Sequence, residues 1–271
     1  MRLGEPFREC VGFLFRGESL VGSAFIVGLE VREQTYLYVV TAGHLATPGD
    51  DLILRANNTS GGAIRIPIDH GNWRRPESPV VDLAVARLVL DPSDMLQLAL
   101  VTDQHLATTQ FLVEHDVGPG DDVAFVGLFS GSPGSERNLP ILRFGNIARM
   151  NEELVPTDYR GGQATLDAIM VEGHSHGGQS GSPAFVLFPA SRSSDLPDFV
   201  VPDRLRSVAL LGVVSGHWML PQAIVLKNTT ATDTEAEVPI NAGIALVTPA
   251  QHIHDVLFRA DVVAERADSG H

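Results

Sequence analysis

The stretch Gly177-Gly178-Gln179-Ser180-Gly181-Ser182-Pro183 places a serine between glycines, immediately before an apolar run that is typical of a strand. Glycine lets the backbone bend so that amide N–H groups can point at a developing negative charge. A serine hydroxyl is a poor nucleophile near neutral pH unless a base lies within hydrogen-bond reach. The stretch therefore predicts a nucleophilic serine, provided that the chain supplies a base and an orienting acid elsewhere.

Two earlier segments supply the base and the acid. Tyr38-Val39-Val40-Thr41-Ala42-Gly43-His44 is typical of a strand that runs into a tight turn, and Asp82 stands at the mouth of an apolar strand. A histidine can take the serine proton and return it to the leaving amine, while a buried aspartate fixes the histidine tautomer. A single histidine or aspartate at a strand end usually has only a structural role. The occurrence of all three segments in the order His, Asp, Ser favours a catalytic triad of His44, Asp82 and Ser180.

Short runs rich in β-branched and aromatic residues, separated by Gly, Asn or Pro, fill most of the chain. The first set is Val11–Phe15, Ser23–Leu29, Tyr36–Thr41, Asp51–Arg55, Ala63–Ile68 and Leu83–Leu90, and the second is Asp122–Phe129, Ile141–Met150, Ala168–Glu172, Ser182–Leu187, Ser207–Ser215 and Ala242–Val247. Because strands do not alternate with helices, we predict an all-β fold of two packed six-stranded antiparallel barrels. Residues 1–110 would form the lobe that carries His44 and Asp82, and residues 111–271 the lobe that carries Ser180.

The segments between and after these strands predict one connection, two loops and a helix. Asp91–Gly120 is typical of an inter-lobe connection that includes a helical turn, and the polar stretches Pro189–Arg206 and Pro221–Ile240 are typical of long surface loops. Near the C-terminus, Thr248 is predicted to cap a helix whose first residue is Pro249. The apolar stripe of that helix would comprise Ile253, Val256, Leu257, Ala260 and Val263.

Charge and cysteine content indicate which binding partners are disfavoured and which cellular compartment is favoured. The chain has 19 Lys and Arg against 33 Asp and Glu, a formal net charge of −14, which disfavours nucleic acid and anionic membranes as partners. No apolar run reaches the length of about 18 residues that predicts a transmembrane helix, and MRLGEPFREC is unlike a signal peptide. Cys10 is the sole cysteine, so the sequence predicts a cytoplasmic protein or one of bacterial origin without a disulfide.

The three chemistry-bearing segments resemble a known family. Thr41-Ala42-Gly43-His44, Asp82-Leu83-Ala84 and Gly178-Gln179-Ser180-Gly181-Ser182-Pro183 look like the three signatures of the trypsin/chymotrypsin superfamily. The Ser-Gly-Ser-Pro ending resembles its bacterial branch, the trypsin-like peptidases related to glutamyl endopeptidases and HtrA protease domains. The resemblance spans about residues 20–250, with the two predicted loops unmatched. It implies a chymotrypsin-like serine endopeptidase that acts on peptide or protein substrates and needs no cofactor.

The resemblance also implies roles for the backbone around the triad. The amides of Gly178 and Ser180 would form the oxyanion hole, and the strand with Ser215 and Gly216 would pair with the substrate backbone. The oligomeric state stays open.

Two histidines and a serine would line the specificity pocket. His174 stands where trypsin has the aspartate that recognises Lys or Arg, so the resemblance implies a specificity unlike that of trypsin. Ser175 and His217 would lie beside His174. His174 and His176 could supply two zinc ligands, but no cysteine lies near them in the sequence and no metal is predicted.

Two alternatives to a peptidase differ in how well the sequence supports them. A protease-fold binding or scaffold protein that no longer cleaves stays the alternative, although no triad residue is replaced. An α/β-hydrolase esterase would need Gly-x-Ser-x-Gly and a histidine that comes last, whereas Ser182 replaces the final glycine and His44 comes first.

The neutral Gln179, where trypsin-like zymogens carry an aspartate, predicts that the chain beginning at Met1 needs no proteolytic activation.

Overall fold

The computed structural model describes residues 6–32, 34–90, 96–97, 99–159, 162–173, 178–188, 208–226 and 234–268. Within these ranges the chain forms a curled eight-stranded sheet followed by a closed six-stranded barrel, with a separate two-stranded sheet. The predicted all-β architecture with two β-lobes is therefore confirmed. The first lobe is a curled half-barrel with more strands than the six expected.

The first sheet has the strand order β5-β4-β1-β2-β3-β7-β6, with β8 paired in parallel to β2. Its strands are β1 (Val11–Arg16), β2 (Ser19–Val31), β3 (Gln34–Thr41), β4 (Leu52–Asn57), β5 (Ala63–Ile68), β6 (Trp73–Arg74), β7 (Ala84–Leu88) and β8 (Val101–Thr102). In β4 the apolar Leu52, Leu54 and Ala56 are buried while the residues between them are half-buried, the two-residue period of a strand with one face on the core. This alternation is the pattern on which the strand predictions depended.

The second lobe closes into a barrel with the order β10-β13-β16-β15-β14-β9. Its strands are β9 (Asp122–Gly127), β10 (Ile141–Arg149), β13 (Ile169–Glu172), β14 (Pro183–Leu187), β15 (Val208–Leu226) and β16 (Thr234–Pro249). Between β10 and β13 lies a hairpin of β11 (Val155–Tyr159) and β12 (Gly162–Leu166), which the sequence analysis did not predict.

The prediction of a loop over Pro221–Ile240 is wrong for the part of that range that the structure describes. β15 and β16 continue as an antiparallel ribbon from the pair Gly212 and Pro249 to the pair Leu226 and Thr234. Two strands that pair with each other satisfy their backbone hydrogen bonds without the alternation of apolar residues that a core-facing strand needs. The predicted loop Pro189–Arg206 lies outside the described residues.

Four short helices complete the described fold: α1 (Pro6–Glu9), α2 (Thr109–Glu114), α3 (Gln251–Leu257) and α4 (Ala260–Asp268). Helix α2 is the helical turn expected in the inter-lobe connection. None of the helices in the described ranges is long and apolar enough to cross a membrane.

The prediction of the C-terminal helix is wrong in two respects: the helix begins later than Pro249, and it is divided into α3 and α4. β16 continues through Pro249, with Thr248 paired to Val213, so Thr248 belongs to the sheet and does not cap the helix. The break between α3 and α4 shifts the buried face of the second helix. Ile253, Val256 and Leu257 are buried as predicted, whereas in α4 Ala260 and Val263 are exposed and Val262 is buried instead.

A shared apolar core joins the two lobes. It combines side chains of the first sheet such as Phe25, of the barrel such as Val213, and of α3 such as Leu257. Phe7 packs edge-on against Phe185 with ring centroids 5.1 Å apart. The end of β3 lies beside the loop that precedes β14, since a Cβ on Gly181 in that loop would lie 2.3 Å from Thr41 Oγ1.

Candidate active site

His44 and Asp82 are brought together by the pairing of β3 with β7. Thr41 at the end of β3 lies opposite Ala84 at the start of β7, so the residues just beyond each strand end are neighbours. His44 lies in a 3₁₀ turn, Gly43–Leu45, directly after β3. A Cβ on Gly43 would lie 2.9 Å from the backbone nitrogen of Leu83, which explains why the turn needs glycine there.

The Asp82 carboxylate contacts His44 through both of its oxygens. Oδ2 lies 2.7 Å from the ring Nδ1, and Oδ1 accepts a 2.8 Å hydrogen bond from the His44 backbone amide. The side chains are 13% exposed for His44 and 7% exposed for Asp82. A carboxylate at Nδ1 assigns the proton of a neutral ring to that nitrogen, which leaves Nε2 as the basic atom.

The Ser180 loop is held between the two lobes by backbone hydrogen bonds. The Ser180 carbonyl accepts a 2.9 Å bond from the amide of Ser23 in β2, and the Gly181 amide donates a 2.8 Å bond to Val214 in β15. Gly178 and Gly181 have φ values of +96° and +83°, a region that favours glycine. The predicted requirement for glycine on both sides of the serine therefore has a backbone cause.

The turn that carries His44 and the loop that carries Ser180 meet at Gly22. A Cβ on Gly22 would lie 2.9 Å from the Ser180 carbonyl oxygen and 2.4 Å from Cδ1 of Leu45, the residue after His44. On the other side of the loop, a Cβ on Gly181 would lie 1.9 Å from the Ser23 carbonyl oxygen. The structure thus places the three predicted triad segments in one close-packed region.

A hydroxyl network behind Asp82 was missed by the sequence analysis. The buried Thr248 hydroxyl donates a 3.4 Å hydrogen bond to the Asp82 carbonyl and shares a 2.5 Å bond with the Ser215 hydroxyl. The sequence signal is a threonine at the end of an apolar strand run, where the local pattern predicts a helix cap. Ser23 was also missed: its hydroxyl accepts a 2.8 Å bond from Leu128 and donates a 3.3 Å bond to the Gly178 carbonyl.

Of the residues predicted to bind substrate, three lie in the described residues. Ser215 is 1% exposed and lies at an irregularity in the β15–β16 register, so its hydroxyl faces the interior. Gly216 pairs with Leu246, and a Cβ there would meet nothing within 4 Å. His217 pairs with Ala245 and is half-buried. His174 and Ser175 lie outside the described residues.

Cys10 is not a second nucleophile. Its side chain is fully buried, and burial raises the pKa of the thiol to about 12. The thiolate is the reactive form of cysteine, so Cys10 stays unreactive near neutral pH.

The sequence matches the family model of the trypsin-like peptidase domain over residues 22–186. That range is more than half of the chain and includes His44, Asp82 and Ser180. No curated protein matched the sequence.

Solved structures show the same fold at low sequence identity. The structure of HBP is 12% identical with a TM-score of 0.52, and the match covers 100% of this chain and 96% of that one. Neuropsin, a serine protease expressed in the limbic system of mouse brain, is 15% identical with a TM-score of 0.50, and the match covers 97% of this chain and 96% of that one. These likenesses confirm the predicted chymotrypsin-like fold, and the family model shows that this chain belongs to the trypsin-like peptidase domain family.

Proposed function

We propose that the chain is a serine endopeptidase in which Ser180 is the nucleophile, His44 the general base and Asp82 the residue that orients His44. The observation that carries the proposal is the double contact of the Asp82 carboxylate with the ring and the backbone of His44. A structural ion pair needs only one of these contacts. Holding both the ring and its backbone fixes the direction in which Nε2 points, as base catalysis requires.

The proposed reaction has two halves. Ser180 Oγ attacks the peptide carbonyl carbon while its proton moves to His44 Nε2, and Asp82 stabilises the imidazolium that forms. The amides of Gly178 and Ser180 donate hydrogen bonds to the oxyanion. Collapse of the tetrahedral intermediate breaks the C–N bond, and His44 protonates the leaving amine. Water then attacks the acyl-enzyme with His44 again as base, which releases the acid product and restores the Ser180 hydroxyl.

The substrate backbone is proposed to pair with β15 around Gly216, beyond Val213, the last residue of β15 that pairs with β14 in the described structure. A Cβ on Gly216 would meet nothing within 4 Å, so the face of the strand is open there. Ser215 would take part through its backbone, since its side chain is buried. His174, Ser175 and His217 stay the proposed lining of the specificity pocket, with a preference unlike that of trypsin.

Cleavage of a peptide library by the purified full chain tests the proposal, with the Ser180→Ala variant as control. We expect cleavage that the variant lacks while its circular dichroism and thermal unfolding stay unchanged. A folded wild-type chain that cleaves no member of the library would contradict the peptidase and favour the protease-fold binding protein.

A further inference from the structure

A groove with a volume of about 640 Å³ lies on the second lobe between α2, the turn after β10 and the start of α3. None of His44, Asp82 and Ser180 is among the described residues that line it. Its apolar part comprises Leu112, Val113, Val117 and Met150. Val113 is 77% exposed, so the groove presents apolar surface to solvent. The volume is in the range of ordinary ligand sites, about 300–1,000 Å³.

Carboxylates border this apolar surface. Asp116 and Glu152 are exposed at the rim, and Asp167 is half-buried. The described lining residues include no Lys or Arg. The groove therefore combines an apolar surface with net negative charge.

The end of the groove at Asp167 is already organised by hydrogen bonds. His252 Nε2 lies 2.7 Å from Asp167 Oδ2, and Asn151 donates a 2.7 Å bond to Oδ1. The hydrogen bond with His252 is the main cause that lowers the pKa of Asp167 below its usual value, and the bond from Asn151 adds to it. The carboxyl is therefore ionised near neutral pH. The Asp167 amide also donates a 2.9 Å bond to Val80, which ties this end to the first lobe. Because these hydrogen bonds are already formed, the side chains at this end of the groove would need little rearrangement when a ligand binds.

We propose that this groove binds a segment of a partner protein in which Lys or Arg stands next to an aliphatic residue. The aliphatic stem of such a cation can lie on Val113 and Leu112 while its charged end lies near Asp116 and Glu152. An acidic segment would be repelled by the same carboxylates. A second copy of this chain fits poorly, because the net charge of −14 makes two copies repel each other. The groove is independent of the proposed peptidase chemistry, so either proposal can fail without the other.

Calorimetric titration at low salt tests the groove with an acetylated, amidated Leu-Lys-Leu-Lys-Leu peptide and the full chain carrying Ser180→Ala, which prevents cleavage. We expect saturable one-to-one binding that weakens with added salt. Asp116→Asn and Glu152→Gln should each weaken it about twofold to fivefold, the size expected for an exposed charge pair. Val113→Ser should weaken it as well, since it removes apolar contact area.

The matched control is Glu153→Gln, which removes an exposed carboxylate next to Glu152 that does not line the groove. It should leave the affinity within experimental error, and each variant should keep the melting temperature of its parent. No saturable binding, equal weakening by Glu153→Gln, or equal binding of a Leu-Glu-Leu-Glu-Leu peptide would overturn the proposal. Self-association that Glu152→Gln abolishes would also overturn it, since a second copy would then be the occupant.

Discussion

The amide of Ser23 in the first lobe donates a 2.9 Å hydrogen bond to the carbonyl of Ser180 in the second lobe. Ser23 lies in β2, which pairs with β3, and β3 leads directly to His44. The position of the candidate nucleophile relative to the candidate base therefore depends on a contact between the lobes. Neither lobe alone contains the arrangement.

Gly181→Ala should damage both stability and activity. The new Cβ would lie 1.9 Å from the Ser23 carbonyl oxygen and 2.3 Å from Thr41 Oγ1, and φ is +83°. Overpacking of this kind costs about 1–3 kcal/mol of unfolding free energy, in addition to the backbone strain. Gly49→Ala is the control, because its φ is +88° but a Cβ there meets nothing within 4 Å. Chemical denaturation should show a larger loss of unfolding free energy for Gly181→Ala than for Gly49→Ala. Equal losses would mean that the close contact at Gly181 does not contribute to the destabilisation.

Asp82→Asn should reduce kcat by about 10⁴-fold, the loss that this change produces in a serine protease triad because the histidine adopts the wrong tautomer. The variant should fold, since asparagine keeps the shape and can still accept a hydrogen bond from the His44 amide. Steady-state kinetics on a peptide identified in the library measures the effect. A loss smaller than tenfold would show that Asp82 does not orient a catalytic base.

Thr248→Val should reduce kcat by about twofold to tenfold, the equivalent of one net hydrogen bond of about 0.5–1.5 kcal/mol. The hydroxyl contacts the Asp82 carbonyl and Ser215 but lies in the interior, so KM should change little. Thr248→Ser keeps the hydroxyl and should restore kcat. If the valine variant loses stability but keeps the kcat of the wild type, Thr248 supports the fold alone.

Asp167→Asn should lower stability at neutral pH by about 1 kcal/mol, since hydrogen bonds to a charged group contribute about that much or more. The pKa of Asp167 is lowered in the folded chain, so its contribution is complete above the ordinary aspartate pKa of about 3.9. That contribution is lost as the pH falls through the lower folded-state pKa. Urea unfolding at several pH values should therefore show wild type and variant converging in acid. A difference that persists unchanged below pH 2 would contradict the assigned cause.

The candidate triad segments could be located in the sequence because the chemistry demands particular residues in short local patterns. The loop of Ser180 has backbone φ values of +96° at Gly178 and +83° at Gly181, which favour glycine on both sides of the serine. His44 and Asp82 follow from the same logic, since each stands at a strand end that the alternation of apolar residues locates. Each of these signals is contained in a few consecutive residues, although the three segments are far apart along the chain.

The features that the sequence analysis missed depend on partners far away in the sequence. Thr248 looks like a helix cap until β16 is paired with β15, which brings it to Ser215 and Asp82. The long ribbon formed by β15 and β16 is stabilised by pairing between its own strands and carries no core-facing pattern. Long-range pairing is decided by the whole fold, so local residue patterns are insufficient to predict it.

Reaction of the purified chain beginning at Met1 with a fluorophosphonate, followed by intact mass spectrometry, tests whether Ser180 is an activated nucleophile. Activation of a trypsin-like zymogen buries a new N-terminal ammonium against an aspartate that precedes the nucleophile. Gln179 holds that position here, is neutral and is 2% exposed, so it offers no carboxylate to such an ammonium. Burying the ammonium without a counter-charge would cost several kcal/mol. We therefore expect one adduct on the untrimmed chain, mapped to Ser180 by peptide analysis and absent from Ser180→Ala. No adduct on the folded wild-type chain, or an adduct on another residue, would contradict the assignment of Ser180 as the nucleophile.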